Sequence, residues 1–209
     1  MIVHAELTAH NLQKVFNRRV IFEDISFSLS PGQTLLVTGP NGSGKSTLVK
    51  IISGVLTPTQ GDVKLTVNSS TPAEAVHPFI GLVSPYLQMY EEFTARENLQ
   101  FALAVRGMTS LQPHIQLLLE RVALKGRLDE PVRTFSSGMK QRVKYAFALI
   151  HHPPILILDE PMSNLDASGL EIVKGIMDDH RKHGILIVAT NDITDVDHYD
   201  QRIDLGVRK

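Results

Sequence analysis

Short hydrophobic segments, separated by polar turns, dominate the pattern of this 209-residue chain. Residues 6–16 and 19–29 alternate apolar and polar side chains, as half-buried strands do, and Asn17-Arg18 between them suits a hairpin turn. Ser30-Pro31-Gly32 interrupts this pattern, and two further short strands are expected at 62–67 and 79–83. The first 30 residues therefore predict an antiparallel β lobe.

Three segments are apolar without alternation, at 34–38, 155–158 and 185–189. Continuous apolar runs of this length are typical of strands that are buried on both faces. Helical patterns lie between them, including one at 140–151 and one at 170–182. Buried strands that alternate with helices predict an α/β fold with a mostly parallel sheet.

The segment from about 86 to 150 contains helical patterns and no β-rich run. Thr94 followed by Glu97 forms a capping-box sequence at the start of a helix over 95–103, and a second helix is expected over 111–122. We interpret this segment as a helical subdomain inserted into a single domain that spans 1–209.

Composition excludes several kinds of chemistry. The sequence has no cysteine, so disulfides, thiolate metal sites and cysteine nucleophiles are excluded. Its 21 basic and 22 acidic side chains are balanced, so no nucleic-acid partner is expected. The apolar runs are far shorter than the roughly 18 residues of a membrane-spanning helix. We therefore expect a soluble chain that reaches a membrane only through another protein.

Residues 39–47 read Gly-Pro-Asn-Gly-Ser-Gly-Lys-Ser-Thr, which is the nucleotide phosphate-loop pattern G-x-x-x-x-G-K-[ST]. The pattern lies between a predicted strand and a predicted helix, the context that it requires. Its backbone N–H groups would surround a phosphate chain, Lys45 would reach the β- and γ-phosphates, and Ser46 would bind Mg²⁺. A glycine-rich turn with a chance lysine is the alternative, and the strand–loop–helix context disfavours it.

Two adjacent carboxylates follow the apolar strand at 155–158. Ligands of parallel sheets bind at the carboxyl ends of the strands, where Asp159 and Glu160 are expected. Asp159 would hold Mg²⁺, and Glu160 would polarise the attacking water next to the γ-phosphate. An ordinary solvated strand end is the alternative, which the phosphate loop makes less attractive. Together these motifs predict a phosphate-loop NTPase core.

The order and spacing of the motifs resemble the ATP-binding cassette (ABC) ATPase family over nearly the whole chain. The resemblance implies that Phe16 stacks on adenine and that Asp166 belongs to a loop at the dimer interface. It also implies that a signature segment contacts the ATP of the partner subunit, and here this segment is Ser136, Ser137, Gly138 and Met139. The implied ATP-binding residues are Phe16, Gly39, Pro40, Asn41, Gly42, Ser43, Gly44, Lys45, Ser46 and Thr47.

The short length and the run over 90–99 are similar to stand-alone ATPase subunits of bacterial transporters, in particular the haem-exporter type of cytochrome c maturation. The resemblance implies ATP and Mg²⁺ as cofactors and a homodimer or heterodimer of ATPase subunits. It further implies an integral membrane permease as partner and a cytoplasmic, peripheral position on the inner face of the membrane.

The chain departs from the family pattern at several positions. In the signature segment, Ser137 replaces glycine and Met139 replaces glutamine, and Asn164 replaces a small residue before Asp166. Pro85 stands where a glutamine normally follows the strand at 79–83, which leaves Gln88 as an additional candidate metal ligand. At the position of the family's catalytic switch histidine the chain has Asn191. Asparagine cannot become cationic, so slow hydrolysis is expected.

Three functions fit these observations. The first is an ATPase whose ATP-driven dimer closure powers a membrane transporter. The second is a cytosolic, non-transport ABC ATPase. The third is a regulatory subunit that binds ATP with weak hydrolysis, which Asn191 and Pro85 favour and Glu160 opposes. A cluster of apolar side chains would either face the membrane partner or pack within the helical segment, and it consists of Tyr86, Met89, Tyr90 and Phe93.

Overall fold

The computed structural model describes residues 4–68, 70 and 76–206. Its strands are β1 (Ala5–Phe16), β2 (Arg19–Leu29), β3 (Thr34–Thr38), β4 (Gln60–Val67), β5 (Ile80–Val83), β6 (Ile155–Asp159), β7 (Ile185–Thr190) and β8 (Gln201–Asp204). Its α-helices are α1 (Lys45–Ile52), α2 (Ala95–Val105), α3 (His114–Arg121), α4 (Ser137–Leu149) and α5 (Ala167–Arg181).

The N-terminal strands form an antiparallel sheet in the order β2-β1-β4. The β1–β2 hairpin closes at the pair Phe16↔Arg19, with Asn17 and Arg18 at positive φ values of 47° and 66°. Both central residues of a tight hairpin turn of type I′ require positive φ, and asparagine tolerates it well. The predicted β lobe and its turn are therefore present.

The second sheet is parallel, with the strand order β5-β6-β7-β3-β8. Every residue of β3, β6 and β7 is buried, which explains why their sequences are uninterrupted apolar runs. The strand β8 was not predicted. It pairs only with β3 at the sheet edge, and its residues alternate between half-buried and exposed, so it lacks the apolar run of an inner strand.

The parallel sheet separates two hydrophobic cores. Ile155 and Ile157 point into a core shared with α1 and the antiparallel sheet. Leu156 and Leu158 point the other way, into a core formed with helices α2 to α5. The period-two alternation of a strand puts successive side chains on opposite faces, so each inner strand contributes to both cores.

The helix starts differ from the sequence-based expectations in an instructive way. α4 begins at Ser137 and α5 at Ala167, three residues before each apolar pattern, because Ser136 and Asp166 cap their first turns. The expected start of α3 at residue 111 was wrong. This helix begins at His114, after a short 3₁₀ turn at Thr109–Leu111 and with Pro113 at its N-cap, a position where the missing N–H costs no hydrogen bond.

The capping box of α2 is present: the Thr94 hydroxyl accepts from the Glu97 N–H at 3.1 Å, and Glu97 accepts from the Thr94 N–H at 2.8 Å.

In sequence, α2, α3 and α4 lie between β5 and β6, which are neighbours in the sheet. The division into a domain over 1–209 with an inserted subdomain over about 86–150 stays a prediction. Among the described helices, none combines the length and the hydrophobicity needed to cross a bilayer.

A buried histidine, His151, and a half-buried one, His180, make stability depend on pH. The rings of His151 and His180 lie 3.2 Å from the carbonyls of Ile80 and Ile185, and burial lowers the pKa of each from 6.5 to about 4. The unfolded chain therefore binds more protons than the folded one between pH 6.5 and 4. We therefore expect the free energy of unfolding to decrease as the pH is lowered from 6.5 to 4, by about 3 kcal/mol at most for each histidine.

Denaturant unfolding at a series of pH values measures this effect. His151→Gln keeps a side-chain donor without a titrating ring and should reduce the pH dependence, whereas His198→Gln, at an exposed position, serves as the control. If the free energy of unfolding of His151→Gln changes with pH as steeply as that of the parent, His151 is not a source of the pH dependence.

Candidate functional site

The phosphate loop connects β3 to α1, at the carboxyl end of the parallel sheet. Gly44 caps α1 with φ of 109°, a conformation that favours glycine, and a Cβ on this residue would lie 2.6 Å from Ile21 Cγ2. The α-helical hydrogen bonds start at once, since the Leu48 N–H donates to the Gly44 carbonyl at 2.9 Å. The loop thus presents the free N–H groups at the start of α1, which is an anion-binding geometry.

Lys45 links the loop to the carboxylates. Its side chain is almost fully buried, with 5% of the residue exposed. Its ammonium donates to the Gly39 carbonyl at 2.8 Å and lies 3.3 Å from a carboxylate oxygen of Glu160. Two motifs that are far apart in sequence therefore meet at one ammonium group.

Asp159 and Glu160 stand at the end of β6. Asp159 is 1% exposed, and this burial raises the pKa of its carboxyl group. A hydrogen bond from the Ser46 hydroxyl lowers the pKa and partly offsets the effect of burial. Glu160 has φ of 51°, and its N–H donates to the Ala189 carbonyl on β7 at 2.8 Å. The positive φ of Glu160 turns the chain after Asp159, while the backbone bond holds Glu160 at the edge of the sheet.

Two buried oxygens of the site have no hydrogen-bond partner among the described residues. They are Oδ1 of Asp159, next to Ser46, and Oγ of Ser43 in the phosphate loop. Buried polar atoms are usually paired, so an unpaired carboxylate oxygen beside a hydroxyl suits a hard divalent cation. The residues present thus fit Mg²⁺.

Asn191 follows β7 and is exposed. It lines a cleft of about 380 Å³ together with Thr38, Gly39 and Pro40 at the start of the phosphate loop. Arg202 lies in the same cleft, where it donates to the Thr38 hydroxyl at 3.1 Å and to Asp204 at 2.7 Å. The sequence did not identify Arg202, because it belongs to the unpredicted strand β8.

Tyr145 was also missed. It lies within the apolar face of α4, which reads as ordinary core, yet its hydroxyl donates to the Pro161 carbonyl at 2.8 Å. Burial raises the pKa of Tyr145 far above its usual value, so the phenol stays a donor. This bond ties α4 to the backbone immediately after Glu160.

The remaining candidates lie apart from this cluster. Phe16 is 44% exposed at the end of β1, with the Lys14 ammonium 4.8 Å from its ring centroid. Ser136 caps α4 by accepting from the Met139 N–H at 3.2 Å, and Asp166 caps α5 by accepting from the Gly169 N–H at 2.8 Å.

The signature residues differ in exposure: Ser136 and Ser137 are exposed, Gly138 is half-buried and Met139 packs on the core. Within the described part of the chain, no hydrogen bond or ion pair joins this segment, Asp166 or the exposed Gln88 to the phosphate loop. One chain therefore assembles the phosphate loop, the carboxylates and Asn191, but not the signature segment.

Residues 22–163 match the family model described as ABC transporter, so the chain belongs to the ABC transporter family. The cytochrome c biogenesis ATP-binding export protein CcmA of Brucella abortus (strain 2308) is 39% identical over 187 residues, covering 88% of this chain and 85% of that protein. The predicted relationship to ABC ATP-binding subunits, and to those of cytochrome c maturation, is confirmed.

Solved structures confirm the fold class. An ATP-binding subunit of an ABC transporter superposes with a TM-score of 0.79 at 27% identity, covering 90% of this chain and 80% of that one. A dimeric ATP-binding cassette bound to ADP and phosphate gives a TM-score of 0.77 at 22% identity, covering 90% and 89%. The second likeness concerns the fold alone.

Proposed function

We propose that this chain is the ATP-hydrolysing subunit of a membrane transporter, and that it binds ATP at residues 39–47. The observation that carries the proposal is the position of Lys45, whose ammonium contacts both the phosphate loop and Glu160. A phosphate-binding cation and a candidate general base thus lie 3.3 Å apart at the carboxyl ends of buried strands. The export function named for the CcmA relative supports the link to transport.

Binding would use the charge and the N–H groups that the loop presents. Phosphate oxygens would replace the Glu160 carboxylate and the Gly39 carbonyl as partners of Lys45, and charge-assisted bonds of this kind are about twice as strong as neutral ones. Ser46 and Asp159 would hold Mg²⁺, which would neutralise charge on the phosphates. The exposed ring of Phe16 would stack on the adenine.

Hydrolysis would then rest on Glu160 and Asn191. Once released from Lys45, the Glu160 carboxylate orients the attacking water and accepts its proton. Asn191, which lines the cleft beside Gly39 and Pro40, would donate an amide hydrogen bond to the γ-phosphate. A neutral donor stabilises the developing phosphate charge less than a protonated imidazole does, which makes slow turnover the expectation.

Dimer formation would complete the site. The exposed Ser136 and Ser137 begin α4, and the N-terminus of a helix attracts anions. A head-to-tail dimer would bring this end of α4, with Asp166, to the phosphate loop of a second copy or of a related subunit. ATP would lie between the two surfaces, so its binding closes the dimer and its hydrolysis opens it.

An exposed apolar patch supports a permease as partner. Tyr86 is 66% exposed and Val105 is 69% exposed, whereas Met89 of the same region is buried. Tyr90 stacks edge-on with Phe101 at 5.1 Å and lies 5.3 Å from Phe93. The contacting rings of Tyr90, Phe93 and Phe101 form a contiguous exposed aromatic surface, and such a surface suits an interaction site. A permease bound there would hold the chain at the cytoplasmic face of the membrane.

Lys45→Ala tests nucleotide binding. Loss of one or two charged hydrogen bonds, each worth about 1.5–3 kcal/mol, should weaken MgADP and MgATP binding by about tenfold or more. Titration calorimetry measures this, with the exposed Lys64→Ala as a matched control. Equal affinities for Lys45→Ala and the parent would refute the phosphate-loop assignment.

Glu160→Gln tests the general base. The glutamine amide has nearly the size and shape of the Glu160 carboxylate but cannot accept the proton of the attacking water. Phosphate release should therefore stop, and a closed dimer should accumulate in the presence of MgATP. Size-exclusion chromatography with MgATP should show this dimer for Glu160→Gln and not for Glu171→Gln, an exposed control on α5. A Glu160→Gln chain that hydrolyses ATP at the parent rate would remove Glu160 from the mechanism.

Asn191→His tests the unusual switch position. Restoring an imidazole should recover about 1–2 kcal/mol of transition-state stabilisation and accelerate turnover roughly five- to thirty-fold. Steady-state phosphate release at saturating MgATP measures this, with Asn191→Ala as the control for loss of the amide. A parent with no Glu160-dependent activity, even with a permease present, would instead favour the regulatory nucleotide-binding subunit.

A further inference from the structure

The backbone of Glu160 adopts a conformation that is unfavourable for its residue type. Its φ of 51° lies in the left-handed region, which a residue other than glycine occupies at a cost in free energy. Such a conformation persists only where the surrounding contacts hold it. In this conformation the Glu160 carboxylate lies 3.3 Å from the Lys45 ammonium. The position of the candidate general base therefore depends on the contacts that hold the backbone at Glu160.

Every backbone polar group of Glu160 and Pro161 has a hydrogen-bond partner. The Glu160 N–H donates to the Ala189 carbonyl at 2.8 Å, and the Glu160 carbonyl accepts from the Ser163 hydroxyl at 2.8 Å. Proline has no N–H, so the Pro161 carbonyl completes the set, and it accepts from the Tyr145 hydroxyl at 2.8 Å. The first bond joins the turn to the sheet and the second lies within the turn. The third comes from the helix α4.

The Tyr145 hydroxyl bonds to this turn from inside the protein. Tyr145 is fully buried in the core that α2 to α5 form with the sheet, and Met162 and Leu165 pack on the same core. A carbonyl can only accept, so the phenol is the donor. Among the described residues, no other donor bonds to the Pro161 carbonyl. Loss of the hydroxyl would thus leave this carbonyl without a partner beside an apolar core, which is costly.

Loss of the Tyr145 bond would favour a rearrangement of the turn. The cost of a positive φ at a residue other than glycine is of the same order as that of one buried unpaired carbonyl. One rearrangement at Glu160 and Pro161 would relieve both costs, and it would displace the Glu160 carboxylate. The phosphate loop would keep its place, because β3 and α1 hold it and Lys45 donates to the Gly39 carbonyl within it.

We propose that Tyr145 is a positioning residue for ATP hydrolysis: its hydroxyl holds the turn at Glu160 and Pro161 in the conformation that places the Glu160 carboxylate for the attacking water. The inference rests on the proposed function, in which Glu160 is the general base. Because Tyr145 acts through the backbone of this turn, it affects the rate of the chemical step and leaves nucleotide binding unchanged.

Tyr145→Phe tests the inference, because it removes one oxygen atom and keeps the ring that fills the core. We expect kcat for phosphate release to fall about ten- to hundredfold, since a displaced base loses much of its effect. KM for MgATP and the calorimetric affinity for MgADP should change less than about twofold, because the phosphate loop is intact. Tyr199→Phe, at an exposed position, is the matched control. Denaturant unfolding shows that both variants are folded under the assay conditions.

Two further measurements do not depend on turnover. Amide hydrogen exchange, followed by NMR without nucleotide, compares the Glu160 N–H with the Leu186 N–H, which donates to the Gln33 carbonyl at 3.0 Å. The ratio of the two exchange rates should rise about threefold or more in Tyr145→Phe, because the turn loosens and the inner sheet does not. In a Glu160→Gln background, Tyr145→Phe should leave the MgATP-dependent closed dimer unchanged.

A Tyr145→Phe chain with the kcat of the parent would overturn the inference. So would equal losses of kcat and MgADP affinity, an unchanged exchange ratio, or loss of the closed dimer in the Glu160→Gln background, because none of these is an effect specific to the Glu160 turn. Failure of the proposed function is seen in the parent instead. The parent then shows no Glu160-dependent phosphate release, and both proposals fall.

Discussion

The register of three buried parallel strands is the constraint on which the site depends. β3 pairs with β7 and β7 with β6, so that Val37 and Asp159 both align with Ala189. Gly39 of the phosphate loop, Glu160 and Asn191 all follow within two residues of this level. A further bond, from the Glu160 N–H to the Ala189 carbonyl, extends the ladder past the end of β6. Residues from three distant parts of the sequence meet because the backbone hydrogen bonds fix the register of the three strands that carry them.

Burial then decides the electrostatics at that level. Lys45 and Asp159 are 5% and 1% exposed, and a buried charge is costly unless another charge or a ligand compensates it. In the chain itself Glu160 compensates Lys45, while Asp159 has an oxygen without a partner among the described residues. Under the proposed function, the site exchanges these internal contacts for those of an anionic ligand and a cation, and its affinity for both would derive from the same burial.

The elements that the sequence predicted correctly are those that are encoded by neighbouring residues. Apolar runs located β3, β6 and β7, and the phosphate loop carries its own pattern of glycines, lysine and serine. The antiparallel hairpin was equally readable from its alternation and its turn. The helix starts at Ser137 and Ala167 were missed because their first turns are polar and are fixed by caps.

Contacts between distant residues could not be predicted in the same way. β8 is a short edge strand whose existence depends on β3, and Arg202 became visible only with it. Tyr145 and Lys50 look ordinary in sequence, a core aromatic residue and a surface lysine. Their partners, the Pro161 carbonyl and the Tyr86 ring, are distant in sequence. Tertiary packing alone gives such residues a role.

The helix α4 shows how these contacts combine. Its first turn carries the signature segment, and its middle is bonded to the backbone after Glu160 through Tyr145. Near its end, the Ala148 carbonyl approaches β5 so closely that Gly81 leaves no room for a Cβ. Close packing of this kind transmits displacement, since neither surface can yield without the other. One rigid helix therefore joins the surface assigned to the second subunit, the carboxylate loop, and the strand that leads into the exposed aromatic patch.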